Sequence, residues 1–171
     1  RRAWYLRGFF LACGLIYLCR PDQLLLVAPL AAWVSWQRRG EPRVLAASAL
    51  LWGAIPIMAW SVFSLYYYGF PFPNTAYAKL GTGIDLSARL VQGSAYFYHA
   101  LATDPLTLFG IALGLVVARR QDGAARMLAL GSVLYLGYIA WIGGDFMAGR
   151  FLTAPLLASA IIVVRSTWVP Q

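Results

Sequence analysis

Three short runs hold the residues whose types and spacing suit work on a substrate. They are Arg20-Pro21-Asp22, Pro73-Asn74-Thr75-Ala76-Tyr77-Ala78-Lys79, and Gly143-Gly144-Asp145-Phe146-Met147-Ala148-Gly149-Arg150-Phe151. In the third run glycines stand on both sides of a carboxylate and a guanidinium. Glycine allows dihedrals and close backbone approaches that other residues resist, so a tight turn there can present Asp145 and Arg150 together. An Asp carboxylate can take a proton from a hydroxyl or hold a sugar. An Arg guanidinium grips phosphate through a planar fork of donors. The combination points to a phosphate-bearing substrate and an acceptor hydroxyl. Arg20, Asp22, Asn74, Thr75, Tyr77 and Lys79 are candidates to bind the same substrate. Each run also has a bland reading, as solvated loop charges or, for Arg20 and Asp22, a local ion pair. No metal site is expected: Cys13, Cys19 and the single His99 give neither ligand spacing nor a Cys–His nucleophile. No cofactor is expected either.

The elements that must position these residues are apolar. Of 171 residues, 61% are hydrophobic and 12% charged, and the mean hydropathy is +0.66. A soluble domain carries about 25% charged residues, so this chain lacks the polar groups to cover a water-facing surface. That composition excludes a soluble enzyme and a disordered tail, and predicts an integral membrane protein. Six apolar stretches run over Trp4–Leu18, Leu24–Trp36, Val44–Leu65, Leu106–Ala118, Ala124–Ile142 and Phe151–Val164. The expected fold is an all-α, polytopic transmembrane bundle of about six spans, forming a single transmembrane domain over residues 1–171. Four stretches, of 13–15 residues, fall well short of the ~20 residues of an upright span, which suits thinned lipid or snorkelling ends. Pro29, Pro56 and Pro155 lie inside stretches, where neighbouring helices can re-satisfy the freed carbonyls.

The net charge of +8 is a topology signal. If the spans alternate, one side receives Arg1, Arg2, Arg38, Arg39, Arg43, Arg119, Arg120, Arg126 and Arg165. The other receives Arg20, Lys79, Arg89 and Arg150, while Arg7 lies within the first stretch. That split marks the first side as cytoplasmic. It removes the need for a nucleic-acid partner, so none is expected. All three polar runs then face outward, where they could converge on one pocket. The long outer loop Tyr66–Pro105 opens on an aromatic belt and turn residues. Its Ile84–Ala102 segment has the apolar spacing of a helix lying along the membrane surface.

Tyr67-Tyr68-Gly69 with Pro73-Asn74-Thr75-Ala76-Tyr77-Ala78-Lys79, then Gly143-Gly144-Asp145-Phe146-Met147-Ala148-Gly149-Arg150-Phe151-Leu152, resembles the bacterial membrane proteins related to terminal arabinofuranosyltransferases. Arg20-Pro21-Asp22 followed by leucines fits the same group. It comprises GT-C-type polytopic glycosyltransferases, some of whose relatives are known as flagellar motor control proteins. The resemblance implies a bacterial inner-membrane, multi-pass protein that transfers a sugar, arabinofuranose among the options. The donor would be a polyprenyl-phosphate sugar, a lipid-linked substrate rather than a cofactor, and the acceptor a cell-envelope glycan, with membrane lipid as surroundings. Two departures stand out: Gln23 where the group commonly has Gly, and Ala148 where it often has Pro. Enzymes of this class also resemble one another in an acidic residue on the first outer loop. No such region is present, so the chain is read as a fragment lacking the catalytic base, with Asp145 a substrate or structural residue rather than the sole base. The alternative is a non-catalytic assembly or flagellar-motility protein with the same fold. A transporter ranks third, because charges at mid-membrane are nearly absent.

Overall fold

The computed structural model describes residues 2–38, 40, 43–71, 83–145, 147 and 149–166. Among these the chain is all-α, with seven helices, one 3-10 turn and no strand. It divides into two compact units, Arg1–Thr82 and Gly83–Gln171.

In the first unit, α1 (Arg2–Cys19) leads through a 3-10 turn (Pro21–Gln23) into α2 (Leu24–Gln37), and α3 (Arg43–Tyr68) follows. The main packing is α1 along α3, and two glycines set how close it is. A Cβ added to Gly14 would lie 2.3 Å from the Gly53 carbonyl oxygen, and one on Gly53 would lie 2.9 Å from that of Phe10. Small residues let apolar helices meet backbone to backbone, where dispersion rather than water expulsion holds them. Phe10, Cys13 and Ala49 are buried at this seam. Arg7, the one charge inside the first apolar stretch, donates from Nε to the Ser48 hydroxyl at 2.7 Å. Pro56 is buried inside α3, and its ring lies 3.2 Å from a Cβ built on Gly14. The helix ends at Gly69, whose φ of 76° leaves the helical region, and the Ser64 hydroxyl donates to the Phe70 carbonyl at 2.7 Å. Its last turns carry stacked Phe63 and Tyr67, 5.6 Å apart, with Tyr68 edge-on to Tyr67 at 4.9 Å. Such an aromatic cluster suits the level of lipid headgroups.

In the second unit, α4 (Leu86–Thr103), α5 (Pro105–Ala118), α6 (Gly123–Ile142) and α7 (Thr153–Val164) follow one another. Each of the first three has an acidic N-cap. The carboxylates of Asp85, Asp104 and Asp122 accept from the backbone N–H groups of Ser87, Thr107 and Ala125, which pairs otherwise orphaned donors. Asp104 closes α4 as it opens α5, with Pro105 at the first helical position, and the two helix axes bend by 106°. The extensive pairings are α5 with α7 and α4 with α6. Gly114 meets Ser159, whose Cβ would lie 2.4 Å from a Cβ on the glycine, and Ser159 donates to the Ile111 carbonyl at 3.3 Å. On the other seam, a Cβ on Gly93 would reach 2.4 Å from the Ala140 carbonyl oxygen.

All six expected apolar stretches are helices, within three residues of their expected limits. The last begins at Thr153 rather than Phe151, because Leu152 N–H bonds back to the Gly149 carbonyl at 2.9 Å and keeps that segment a turn. Helix α4 (Leu86–Thr103) covers most of the Ile84–Ala102 segment. Length separates the helices as spans. Ala47–Tyr68 and Gly123–Ile142 are long and apolar enough to cross a membrane singly, and the bent pair α4–α5 qualifies if taken as one broken span. Helix α7 has 12 residues, so it rises only about 18 Å against a hydrocarbon core of ~30 Å. On α3, Leu50, Leu51, Ile55, Met58 and Val62 are all exposed. A surface of that kind fits lipid better than water.

Candidate functional site

The glycine-flanked turn lies in the second unit, and its geometry begins with how α6 stops. Gly143 and Gly144 both have positive φ, 84° and 74°. The Gly144 N–H bonds to the Ile139 carbonyl at 2.9 Å and the Gly143 N–H to that of Ala140 at 3.3 Å. This paired pattern is a Schellman stop, which glycine accepts at little cost. Asp145 follows at once, so its position is fixed by the helix end. The chain turns again at Gly149, φ 74°, and delivers Arg150 to the same place.

Asp145 and Arg150 sit in contrasting surroundings. The Asp145 side chain is 6% exposed and that of Arg150 is 55% exposed, with Oδ2 and Nη1 3.9 Å apart. That separation is an ion pair without a short hydrogen bond. It lowers the cost of holding the carboxylate away from water without engaging the guanidinium as a two-pronged fork. Arg150 also reaches Met147, Nη1 to Sδ at 3.5 Å. An exposed guanidinium beside a nearly buried acid can still bind an oxyanion bidentately.

Tyr96 on α4 holds both ends of this turn. Its ring packs on Gly144, where a Cβ would lie 2.7 Å from Tyr96 Cβ and Cγ. Its hydroxyl accepts the Phe151 N–H at 3.3 Å, and the Phe151 ring meets it edge-on at 6.4 Å. Arg89, two turns earlier on the same helix, lies against Gly143 and places its guanidinium 5.4 Å from the Trp141 ring centroid. Neither residue belongs to the three polar runs; Arg89 figured only as an outer-side charge. The signal that could have found them is the spacing Arg89, Gly93, Tyr96. Positions i, i+4 and i+7 share one helix face, here a face with a small residue at its centre.

Arg20 and Asp22 lie in the first unit and pair with each other. Nε to Oδ1 is 3.2 Å and Nη2 to Oδ2 is 2.6 Å, a forked contact across the 3-10 turn. Asn74, Thr75, Tyr77 and Lys79 lie outside the described residues. Among the described residues, no three His, Cys, Asp or Glu side chains gather where they could hold a metal ion. An open hollow of about 470 Å³ at the C-terminal end of α2 is lined by Trp33, Val34, Gln37, Arg38 and Gly40. It contains none of the motif residues.

Comparison with known proteins follows the motifs. The chain is 31% identical over 182 residues to the terminal beta-(1->2)-arabinofuranosyltransferase of Mycobacterium tuberculosis, covering 89% of this chain and 28% of that protein. It is 27% identical over 170 residues to the terminal beta-(1->2)-arabinofuranosyltransferase of Corynebacterium glutamicum, covering 75% of this chain and 24% of that protein. The chain thus spans about a quarter of the length of these curated relatives. No family model matches, and no solved structure matches. In sequence, the chain is glycosyltransferase-like.

Proposed function

We propose that this chain is part of a GT-C-type glycosyltransferase in the bacterial inner membrane. It transfers a sugar, arabinofuranose by likeness to its relatives, from a polyprenyl-phosphate donor to a cell-envelope glycan on the extracytoplasmic side. The observation that carries the reading is the Gly143–Arg150 turn, which holds an exposed guanidinium beside a nearly buried carboxylate. In the proposed reaction an acceptor hydroxyl attacks the anomeric carbon while a carboxylate takes its proton. The bond from the anomeric carbon to the phosphate oxygen breaks with inversion, and polyprenyl phosphate leaves. Arg150 stabilises the charge developing on the departing phosphate. Asp145 positions Arg150 and the sugar, and the base comes from another part of the full-length protein.

The proposed topology is six crossings with the Arg38 and Arg119–Arg126 junctions in the cytoplasm, and α4 along the outer surface. Support comes from the nine-to-four division of basic residues and from the bend at Asp104, which lets α4 and α5 take different directions.

The test uses membranes containing the full-length protein, supplied with polyprenyl-phosphate arabinofuranose and an arabinan acceptor. Extension of the acceptor from the lipid-linked donor, with none from a sugar nucleotide, is the expected result. Absence of transfer from the lipid donor, together with an unaltered envelope glycan in a deletion strain, would overturn the reading.

A further inference from the structure

The end of the second unit away from the Gly143–Arg150 turn gathers arginines. Helix α6 separates the two ends by its 20 residues, about 30 Å. Arg119 and Arg120 follow the last residue of α5, Arg126 stands in the first turn of α6, and Arg165 follows the last residue of α7. Two contacts show that these segments meet. Arg165 Nη2 lies 3.6 Å from Oδ2 of Asp122, the cap of α6, and Arg126 Nε donates to the Gln121 carbonyl at 3.1 Å. All four arginines are exposed. The side chains of Arg119 and Arg120 make no hydrogen bond or ion pair among the described residues. Asp122 is the one carboxylate of the unit at this end, because Asp85 precedes α4, Asp104 precedes α5 and Asp145 follows α6. Its Oδ1 is taken up by the Ala125 N–H at 2.9 Å. The end therefore sets four accessible cations against one engaged anion.

The helices leading to this end say what the charge meets. Leu113 and Val116 are exposed on one face of α5, just before Arg119 and Arg120. Arg126, Leu130 and Val133, at i, i+4 and i+7, share one exposed face of α6. Leu157, Ile161 and Arg165, at successive i+4 steps, do the same on α7. Each apolar stripe thus finishes at an exposed guanidinium. A water-soluble anion would use the cations and leave the stripes in water. A phospholipid uses both, its acyl chains along a stripe and its phosphate at the arginine. A headgroup with net negative charge gains most, because no ammonium of its own opposes the arginines.

We propose that this end of the second unit binds acidic phospholipid, with headgroups on Arg119, Arg120, Arg126 and Arg165 and acyl chains along the stripes of α5, α6 and α7. The binding needs no sugar transfer, so it goes beyond the proposed function.

The experiment titrates the full-length protein in detergent with phosphatidylglycerol and with phosphatidylcholine of the same acyl chains. Bound lipids are counted by native mass spectrometry. The wild type should prefer phosphatidylglycerol, and the preference should weaken as added salt screens it. A surface arginine contributes about fivefold to such binding, so Arg120→Gln should lose about fivefold of the preference and Arg119→Gln with Arg120→Gln more. Arg119→Lys with Arg120→Lys keeps both charges and should stay within about threefold of the wild type. An undiminished preference in the double glutamine variant would overturn the proposal and leave the stripes to packing against the rest of the protein. Equal losses in the lysine and glutamine pairs would also overturn it, since charge would then not be the cause. If the double glutamine variant does not accumulate, an undiminished preference in Arg120→Gln alone would overturn it.

Discussion

The Tyr96 hydroxyl accepts the Phe151 N–H at 3.3 Å across 55 residues of sequence, while the ring of the same tyrosine packs against Gly144. One side chain on α4 therefore fixes the turn just before Asp145 and just after Arg150. The acid and the cation are held by packing outside the turn itself, which is the support a pre-organised binding group requires.

Removing the hydroxyl tests that support. Tyr96→Phe keeps the ring on Gly144 but leaves the Phe151 N–H, at a buried residue, without its acceptor. The expected cost is about 1–3 kcal/mol of stability, measured as a lower midpoint of thermal unfolding in detergent. An unchanged midpoint would show that the N–H finds another acceptor and that the bond is dispensable.

The turn glycines should not be equivalent. Gly144→Ala adds a Cβ at positive φ and also 2.7 Å from Tyr96 Cβ and Cγ, whereas a Cβ on Gly149 meets nothing within 4 Å. Gly149→Ala should cost only the backbone strain of about 1 kcal/mol. Gly144→Ala should cost more and displace Asp145. Equal losses of thermal stability in the two variants would show that contact with Tyr96 adds nothing to the strain.

The helices were legible because hydropathy and punctuation coincide: Pro105 opens α5, Gly143 closes α6, and apolar runs fill the space between. The turn was legible because Gly143, Gly144 and Gly149 are needed for its dihedrals, which composition alone exposes. The pairing of α5 with α7 was not, because Gly114 and Ser159 are small residues that favour any close crossing and name no partner. Tyr96 was lost for a similar reason. A tyrosine in an aromatic-rich segment reads as interfacial, and only its placement opposite Gly144 gives it a structural task. Which helices cross singly was not legible, because apolar content does not convey length: α2 and α7, at 14 and 12 residues, are helical yet shorter than an upright span.

The cap at the start of α4 gives a pH dependence with a definite sign. Hydrogen bonds from the Ser87 hydroxyl and then the Ser87 N–H hold the Asp85 carboxyl below its ordinary 3.8, with a smaller pull from Arg89. A depressed pKa means that the cap's stabilisation is fully present above the ordinary value and is lost as pH falls through the folded one. Hydrogen-exchange protection in the first turn of α4 should therefore persist at neutral pH and drop below about pH 3.8. Asp85→Asn, which caps without titrating, should abolish that acid step. An acid step of equal size in the variant would place its origin elsewhere.

Orientation is open to chemical labelling. Gly40 and Ile84 are both exposed, and the charge division puts Gly40 inside and Ile84 outside. A single cysteine at Ile84 should react with an impermeant thiol reagent in intact cells, with Cys13 and Cys19 replaced by Ser. One at Gly40 should react only after lysis. The reverse pattern would turn the Asp145–Arg150 turn toward the cytoplasm and remove the extracytoplasmic reaction.

The Asp145–Arg150 pair separates binding from scaffolding. Arg150→Lys keeps a positive charge within reach of Asp145 but removes the planar fork that would hold a phosphate bidentately. If Arg150 only neutralises the buried carboxylate, lysine should serve nearly as well, since the existing contact is a 3.9 Å pair rather than a fork. Asp145→Asn removes the negative charge and keeps the shape, and the burial of that side chain favours the neutral amide in purely structural terms. A structural role thus predicts two well-tolerated variants. A role in transfer predicts normal accumulation with transfer from the lipid-linked donor reduced by one to three orders of magnitude, at ~1.4 kcal/mol of barrier per order. The measurement is initial transfer rate per mole of full-length protein at saturating donor, with thermal unfolding as the control for folding. Wild-type rates in both variants would make the turn scaffolding. A loss in Arg150→Lys with Asp145→Asn unimpaired would keep the phosphate contact and remove the carboxylate from the reaction.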